Sequence, residues 1–511
     1  MASNNTSNTF MGWEKSQADF GMPTNLRQKT VSGSMWLVGT GIAAQAFQLF
    51  ITAIIARLLN PQDYGVFGMA LILVSFLQVF SQLGTGSAII QKKDLTEEHL
   101  SSIFWLNVIT GLILFLIYVA SAPFLASFFH TPEVKSIAHV IAINFIITSF
   151  SLVQNTILSR EMRFRKQSLI GLCSVVVSGI FGVVLATRHF GVWSLVFPSI
   201  ANSLTTLLLL WTTTSWRPKF MFCATRLKEI INFSFKIFCF DIINYFSRNI
   251  QDILIGRYMN SVALGYYSMA NRIMLLPLQH FGWKIAAVTF PAYSHIQDDM
   301  KRLGSAFTKT LFFLSLVIFP VMTGLMITAR EVILVIVGDK WKPVIFLIQI
   351  LSVAGLIQSL GPVCGTVILA RGRSDLYLKM GLYNSFIFCA AIYIGLKFGL
   401  NGIAIFYTVA TILWCPIVIY ITIRLIDLGL GKFLRALLPA SISSLIMCYC
   451  VLAIKNIFNT NHPIPLPSLL FVAILVGGTT YVGALRLIFP RDFQEALNII
   501  KAERIKTIIN S

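Results

Sequence analysis

Long blocks of apolar residues alternate with short polar segments along almost the whole chain. A bilayer-crossing helix needs about 20 residues. On that measure the pattern predicts spans near 32–58, 65–90, 101–122, 134–158, 168–187, 191–213 and 230–257. Further spans follow near 265–296, 304–328, 342–369, 375–396, 400–423, 433–454 and 466–489, about fourteen in all. Polar residues interrupt the fourth, seventh and eighth. Pro277, Pro291 and Pro362 lie within spans and should kink or end them. Residues 1–30 are polar and read as a disordered cytoplasmic N-terminus without the basic-then-apolar pattern of a cleaved leader. After Pro490 the tail 490–511 reads as an amphipathic cytoplasmic helix, with Phe493, Leu497 and Ile500 on one stripe beside Lys501, Arg504 and Lys506.

Basic residues orient the spans. With the N-terminus inside, 25 lysines and arginines fall at inner segments and 9 at outer ends, out of 40. Both termini are therefore expected in the cytoplasm, as in a multi-pass protein of a bacterial inner membrane. No outer loop exceeds about a dozen residues, which leaves no external domain to hold the chemistry of a polymerase or glycosyltransferase.

A repeat runs through this pattern at offset 200. Residues 55–70 read IARLLNPQDYGVFGMA and residues 255–270 read IGRYMNSVALGYYSMA. Ile55, Arg57, Asn60, Gly65, Met69 and Ala70 recur as Ile255, Arg257, Asn260, Gly265, Met269 and Ala270. Six identities in sixteen exceed the roughly one expected by chance. Weaker echoes pair 157–160 with 368–371, and Phe190-Gly191 with Phe398-Gly399. Six crossings return the chain to its starting side, so the halves are parallel repeats. The expected organisation is an N-lobe over 31–214, a C-lobe over 215–425 and two appended helices over 426–489. In such proteins a central cavity lies between the lobes, and rocking of the lobes gives alternating access.

Composition agrees. Hydrophobic residues make up 56% and charged residues 12%, against about 25% charged in soluble proteins. Mean hydropathy is +0.77. The net charge of +20 points to anionic lipid and anionic ligands. No soluble domain is present to bind nucleic acid. Of the eight cysteines none has metal-ligand spacing, and small apolar packing is their simpler role. We find no catalytic dyad, metal constellation, cofactor motif or nucleotide-binding loop, so the chain reads as a carrier and not an enzyme.

Charges inside apolar spans are costly and mark function by default. Asp241 and Asp252 are the acidic ones, both on the seventh span. Among the cations, Lys236, Lys309 and Lys379 sit near cytoplasmic ends and can snorkel. Arg248, Arg272 and Lys284 cluster on the seventh and eighth spans. Asp241, Tyr245, Arg248 and Asp252 share one helical face, bordered by Asn244 and Gln251. The matching face of the first span holds Gly41, Gln45, Gln48 and Thr52. Stripes on the second span (Ser75, Gln78, Gln82) and the fourth (Asn144, Thr148, Ser151, Asn155) are expected to line the same polar interior. Treated as an antiparallel hairpin, the seventh and eighth spans set Asp252 level with Arg272, and Asp241 level with Lys284. Two ion pairs are then open to them, either as interhelical locks or as part of an anion cavity. Arg248 has only Pro277 to Gln279 at its level and no carboxylate. The candidate substrate-binding set is Arg248, Arg272, Lys284, Gln45, Gln48, Gln78, Gln279 and Asn244. Asp241, Asp252 and His280 are the ion-coupling candidates, although a satisfied interior histidine is the simpler reading of His280.

Certain segments carry a family resemblance: Ala56-Arg57-Leu58-Leu59-Asn60-Pro61-Gln62-Asp63-Tyr64-Gly65, then Gly84 to Thr96 (GTGSAIIQKKDLT). Ser159 to Arg165 (SREMRFR) and Gly265 to Arg272 (GYYSMANR) add to it. Over about residues 25–490 the chain resembles the polysaccharide-transporter branch of the multidrug/oligosaccharidyl-lipid/polysaccharide (MOP) exporters, closest to the Wzx-type flippases. The resemblance implies twelve core helices plus two, and export of an undecaprenyl-pyrophosphate-linked oligosaccharide to the periplasmic leaflet for exopolysaccharide, capsule or O-antigen synthesis. It also implies coupling to a gradient of H+ or Na+ in place of ATP, and polysaccharide polymerase or assembly proteins as partners. A lipid II flippase is the nearest rival. A multidrug exporter of organic cations fits less well, because the first six spans hold no carboxylate.

Overall fold

In a computed structural model the described residues are 24–82, 89, 96–221, 245, 249–460, 464–495, 497 and 498. Among them the chain is helical throughout its ordered elements, with no strand. Among the described residues ten helices are long and apolar enough to cross a membrane, or eleven when the bent fourth span is counted. Large apolar side chains such as Leu116, Phe124, Leu208, Phe386, Leu413 and Tyr449 stand exposed on these helices. Water would penalise that surface, whereas lipid accepts it. The chain is a multi-pass α-helical membrane protein.

The first helix, Thr24–Leu58, begins earlier than residue 31. The second span is Pro61–Gln82, the third Glu97–Phe128, the fifth Phe164–Thr187 and the sixth Trp193–Thr213. Two of the spans that polar residues interrupt, the fourth and the eighth, are broken. The fourth divides into Glu133–Ser149 and Leu152–Arg160 with a bend of 41°. The eighth runs as Ser261–Pro277, then a π-helical turn at Leu278–Gly282, then Trp283–His295. Pro277 has no N–H to give, and the ladder widens directly after it. The ninth span is Met300–Ile327, and the tenth breaks before Pro362 into Val344–Gln358 and Gly361–Ala370. Ser374–Leu396, Gly399–Leu425, Leu430–Thr460 and Leu466–Ile488 complete the series. Most of the seventh span lies outside the described residues, as does most of the tail beyond 490.

Packing repeats between the halves. The second span packs on the front of the fourth, and the eighth packs on the front of the tenth. The fifth lies against the sixth, and the eleventh against the twelfth. The inner turns match as well. Arg160 donates to the Ile89 carbonyl at 2.6 Å, and Arg371 donates to the Gln297 carbonyl at 2.7 Å. Each arginine thus ties the end of its lobe's fourth span to the chain that follows that lobe's second. The weak sequence echo at 160 and 371 therefore marks a shared bond.

The thirteenth span packs on the ninth, and the fourteenth on the thirteenth. A buried ion pair fastens this appendage: Lys455 Nζ donates to Glu331 Oε2 at 2.9 Å and to the Ile327 carbonyl at 2.6 Å. The Lys455 side chain is only 15% exposed, and that of Glu331 only 2%.

Candidate functional site

The halves meet along the second and eighth spans, and the repeat motif supplies the contact. A Cβ built on Gly65 would overlap the Ser261 carbonyl outright, and one built on Gly265 would overlap the Pro61 carbonyl. At offset 200, residue 61 corresponds to 261 and residue 65 to 265. The contact is therefore isologous, as at a two-fold axis. Only glycine lets the two backbones approach this closely. Gly68 is looser, since a Cβ there would meet Leu264 at 3.7 Å.

Around this crossing each half reaches into the other. Arg57 donates from Nε to the Ile336 carbonyl at 3.0 Å and from its terminal nitrogen to the Val335 carbonyl. Arg257 donates to the Phe128 carbonyl at 2.7 Å, lies 2.9 Å from the His130 ring and stands over the Phe128 ring at 5.2 Å. Trp341, fully buried, donates to the Ala56 carbonyl at 2.8 Å, with Tyr64 edge-on at 5.2 Å. Gly338, at φ +105°, lies between these carbonyls and Trp341. Sequence reasoning saw Arg57 and Arg257 as repeat identities at outer turns. It missed Trp341 altogether, because nothing local ties residue 341 to residue 56.

Arg272 lies on the same face of the eighth span as Ser261, Gly265 and Ser268, spaced i, i+4, i+7 and i+11. It is exposed, on the face of the eighth span that meets the N-half. Gln279 and Lys284 are also exposed, at the π-turn and just past it, with His280 half-buried between them. Gln45 and Gln48 are half-buried and Gln78 exposed. Asp241, Asn244 and Arg248 lie outside the described residues.

Asp252 departs from its expected place. It makes no ion pair with Arg272, and its Oδ1 has no hydrogen-bond partner. The carboxylate points into the C-lobe, close to Tyr267 and Tyr407. Tyr267 donates to Gln251 Oε1 at 2.9 Å, and Gln358 donates to the Tyr407 hydroxyl at 2.7 Å. The hairpin estimate equated depth, but depth does not fix the direction in which a side chain leaves its helix. Asp252→Asn should therefore leave the protein in the membrane at wild-type amount, since no buried cation loses its partner. Quantifying membrane protein checks this, and a collapse in amount would restore the ion-lock reading.

The stripe on the fourth span is also put to other use. Asn144 donates to Ser199 Oγ at 3.3 Å on the sixth span, and Gln167 on the fifth donates to Asn155 Oδ1 at 2.8 Å. Asn202 to Ser178 and Thr206 to Ser174 continue this polar seam within the N-lobe. Asn144 and Asn155 thus bond to neighbouring helices of the same half, Asn144 half-buried and Asn155 exposed.

Comparison with known proteins agrees with this architecture. The lipopolysaccharide biosynthesis protein WzxC of Escherichia coli (strain K12) is 26% identical over 377 residues, 73% of this chain and 76% of WzxC. The succinoglycan biosynthesis transport protein ExoT of Rhizobium meliloti (strain 1021) is 26% identical over 349 residues, 68% of this chain and 70% of ExoT. The fold is similar to that of the lipid II flippase MurJ in an inward closed conformation. The TM-score is 0.73 at 16% identity, covering 89% of this chain and 99% of MurJ. Residues 54–346, which hold the Gly65 and Gly265 crossing and both cross-lobe arginines, match the polysaccharide biosynthesis protein family. The chain belongs to that family, and its sequence resembles the Wzx-type branch of the MOP exporters.

Proposed function

We propose that the chain moves a lipid-linked oligosaccharide bearing a pyrophosphate from the cytoplasmic to the periplasmic leaflet by alternating access. The observation that carries this reading is the pairing of two matched halves with relatives named for polysaccharide biosynthesis and transport. The chemistry suits the cargo. Arg272 and Lys284 are exposed cations on a span that contacts the other half. Arg248 joins them on sequence grounds. Guanidinium groups match phosphate oxygens by paired hydrogen bonds, and amide side chains such as Gln78 and Gln279 suit sugar hydroxyls. The surplus positive charge disfavours organic cations as cargo. Both termini and the 214–229 segment are cytoplasmic in this reading, the carrier lipid is undecaprenyl, and the driving ion is H+ or Na+. Asp252 and His280 are the described coupling candidates, and Asp241 is the remaining one.

Complementation of a strain lacking its own Wzx-type flippase tests the reading, with membrane protein quantified alongside. The unaltered chain should restore polysaccharide export. Arg248→Ala and Arg272→Ala should each lower export at unchanged protein amount, and lysine at either position should restore it only in part. Export by both alanine variants at the unaltered level would remove these arginines from the anion site.

A further inference from the structure

We propose that Arg57 and Arg257 are a reciprocal latch that holds the outer ends of the two halves together and lets go when the transporter opens outward. The inference rests on the alternating-access reading above. Three pairs of observations carry it. Arg57, on the N-half, donates to backbone carbonyls at 335 and 336 beyond the ninth span. Arg257, on the C-half, donates to the backbone carbonyl of Phe128 at the end of the third span. Third and ninth are equivalent spans, so each arginine reaches across to the end of, or the segment after, the equivalent span of the other half. One aromatic ring seals each side: Trp341 bonds the carbonyl of Ala56, and Phe129 lies against Gly256, residue 56 advanced by 200. The glycine pair at 65 and 265 sits between the two grips.

The partners chosen suit a latch. Among the described residues neither guanidinium forms an ion pair with a carboxylate. A carbonyl holds a guanidinium more weakly than a buried carboxylate does, and both groups regain water on release. Tyr266, which donates to the Lys340 carbonyl, and Lys340, which donates to the Leu58 carbonyl at 3.3 Å, extend the same seam. The equivalent inner-end arginines, Arg160 and Arg371, bond within their own halves. The chain therefore uses arginines in two ways: at the inner turns they bond within each half, and at the outer turns they join the halves.

The test is the labelling rate of Ser261→Cys in the full chain in nanodiscs, where a maleimide reaches both faces. Ser261 is buried at the crossing, and the naturally buried Cys364 reports on folding. The double variant Arg57→Ala with Arg257→Ala should raise labelling at position 261 on the order of tenfold or more, because bonds to charged groups are lost on both sides. Each single variant should raise it less, and Cys364 should stay unlabelled. If the alanine variants label Cys364, the pair Arg57→Lys and Arg257→Lys decides, with an expected smaller rise at 261 alone. An unchanged rate at 261 in whichever pair stays folded overturns the latch. The readout needs no cargo: a chain that fails to move lipid-linked sugar but labels as expected keeps its latch and loses only the transport reading.

Discussion

Gly65→Ala is expected to abolish polysaccharide export, and Gly265→Ala to do the same, while Gly68→Ala leaves it near the unaltered level. Within a helix, alanine is favoured over glycine by about 1 kcal/mol, so local propensity alone would make all three changes harmless. The neighbours decide otherwise. At 65 and 265 the new methyl meets the backbone carbonyl of Ser261 or Pro61, and a backbone cannot swing aside as a side-chain tip can. Overpacking of this kind costs about 3 kcal/mol at the upper end of its usual range, on the order of a hundredfold in the closed population. At 68 the methyl meets Leu264 at ordinary contact distance. Complementation with membrane protein measured in parallel checks the series. Normal export by Gly65→Ala would mean that the halves do not need this contact in the transport cycle.

The second large effect is on stability. Glu331→Ala should leave the Lys455 ammonium with only the Ile327 carbonyl in an otherwise apolar wall. Breaking a buried pair from one side costs about 3–5 kcal/mol, most of it from the stranded charge. The thirteenth span should then detach from the ninth, seen as a fall in protein amount and in the thermal midpoint in detergent. Glu331→Leu combined with Lys455→Met removes both charges and should recover most of the loss. A double variant as unstable as the single one would show that the pair holds more than its own charge.

The spans were legible because lipid imposes length and apolarity locally, and the breaks at Pro277 and Pro362 were legible because proline lacks the N–H a helix needs. The repeat was legible where its identities carry a contact. Gly65 and Gly265 meet the opposite backbone, and Arg57 and Arg257 reach the opposite carbonyls. What the repeat could not state is the partner. Arg57 lies 279 residues from Ile336, and Lys455 lies 124 from Glu331, with no local signal joining either pair. Helical faces could not say which neighbours a polar residue bonds. Asn144 and Asn155 sit on a stripe that could face a cavity or a neighbouring helix, and they bond to the sixth and fifth spans. Asp252 shows the same limit: its depth was readable, but the direction of its side chain was not.

The most direct measurement is translocation in liposomes holding the purified chain and a fluorescent undecaprenyl-pyrophosphate-linked oligosaccharide. Probe on the outer leaflet is quenched, and an imposed ion gradient is switched on or off. The account predicts protein-dependent movement of the probe between leaflets, faster with the gradient and lost in Gly65→Ala. Liposomes that move the probe no faster than protein-free ones, while the same preparation extrudes an organic cation, would contradict it.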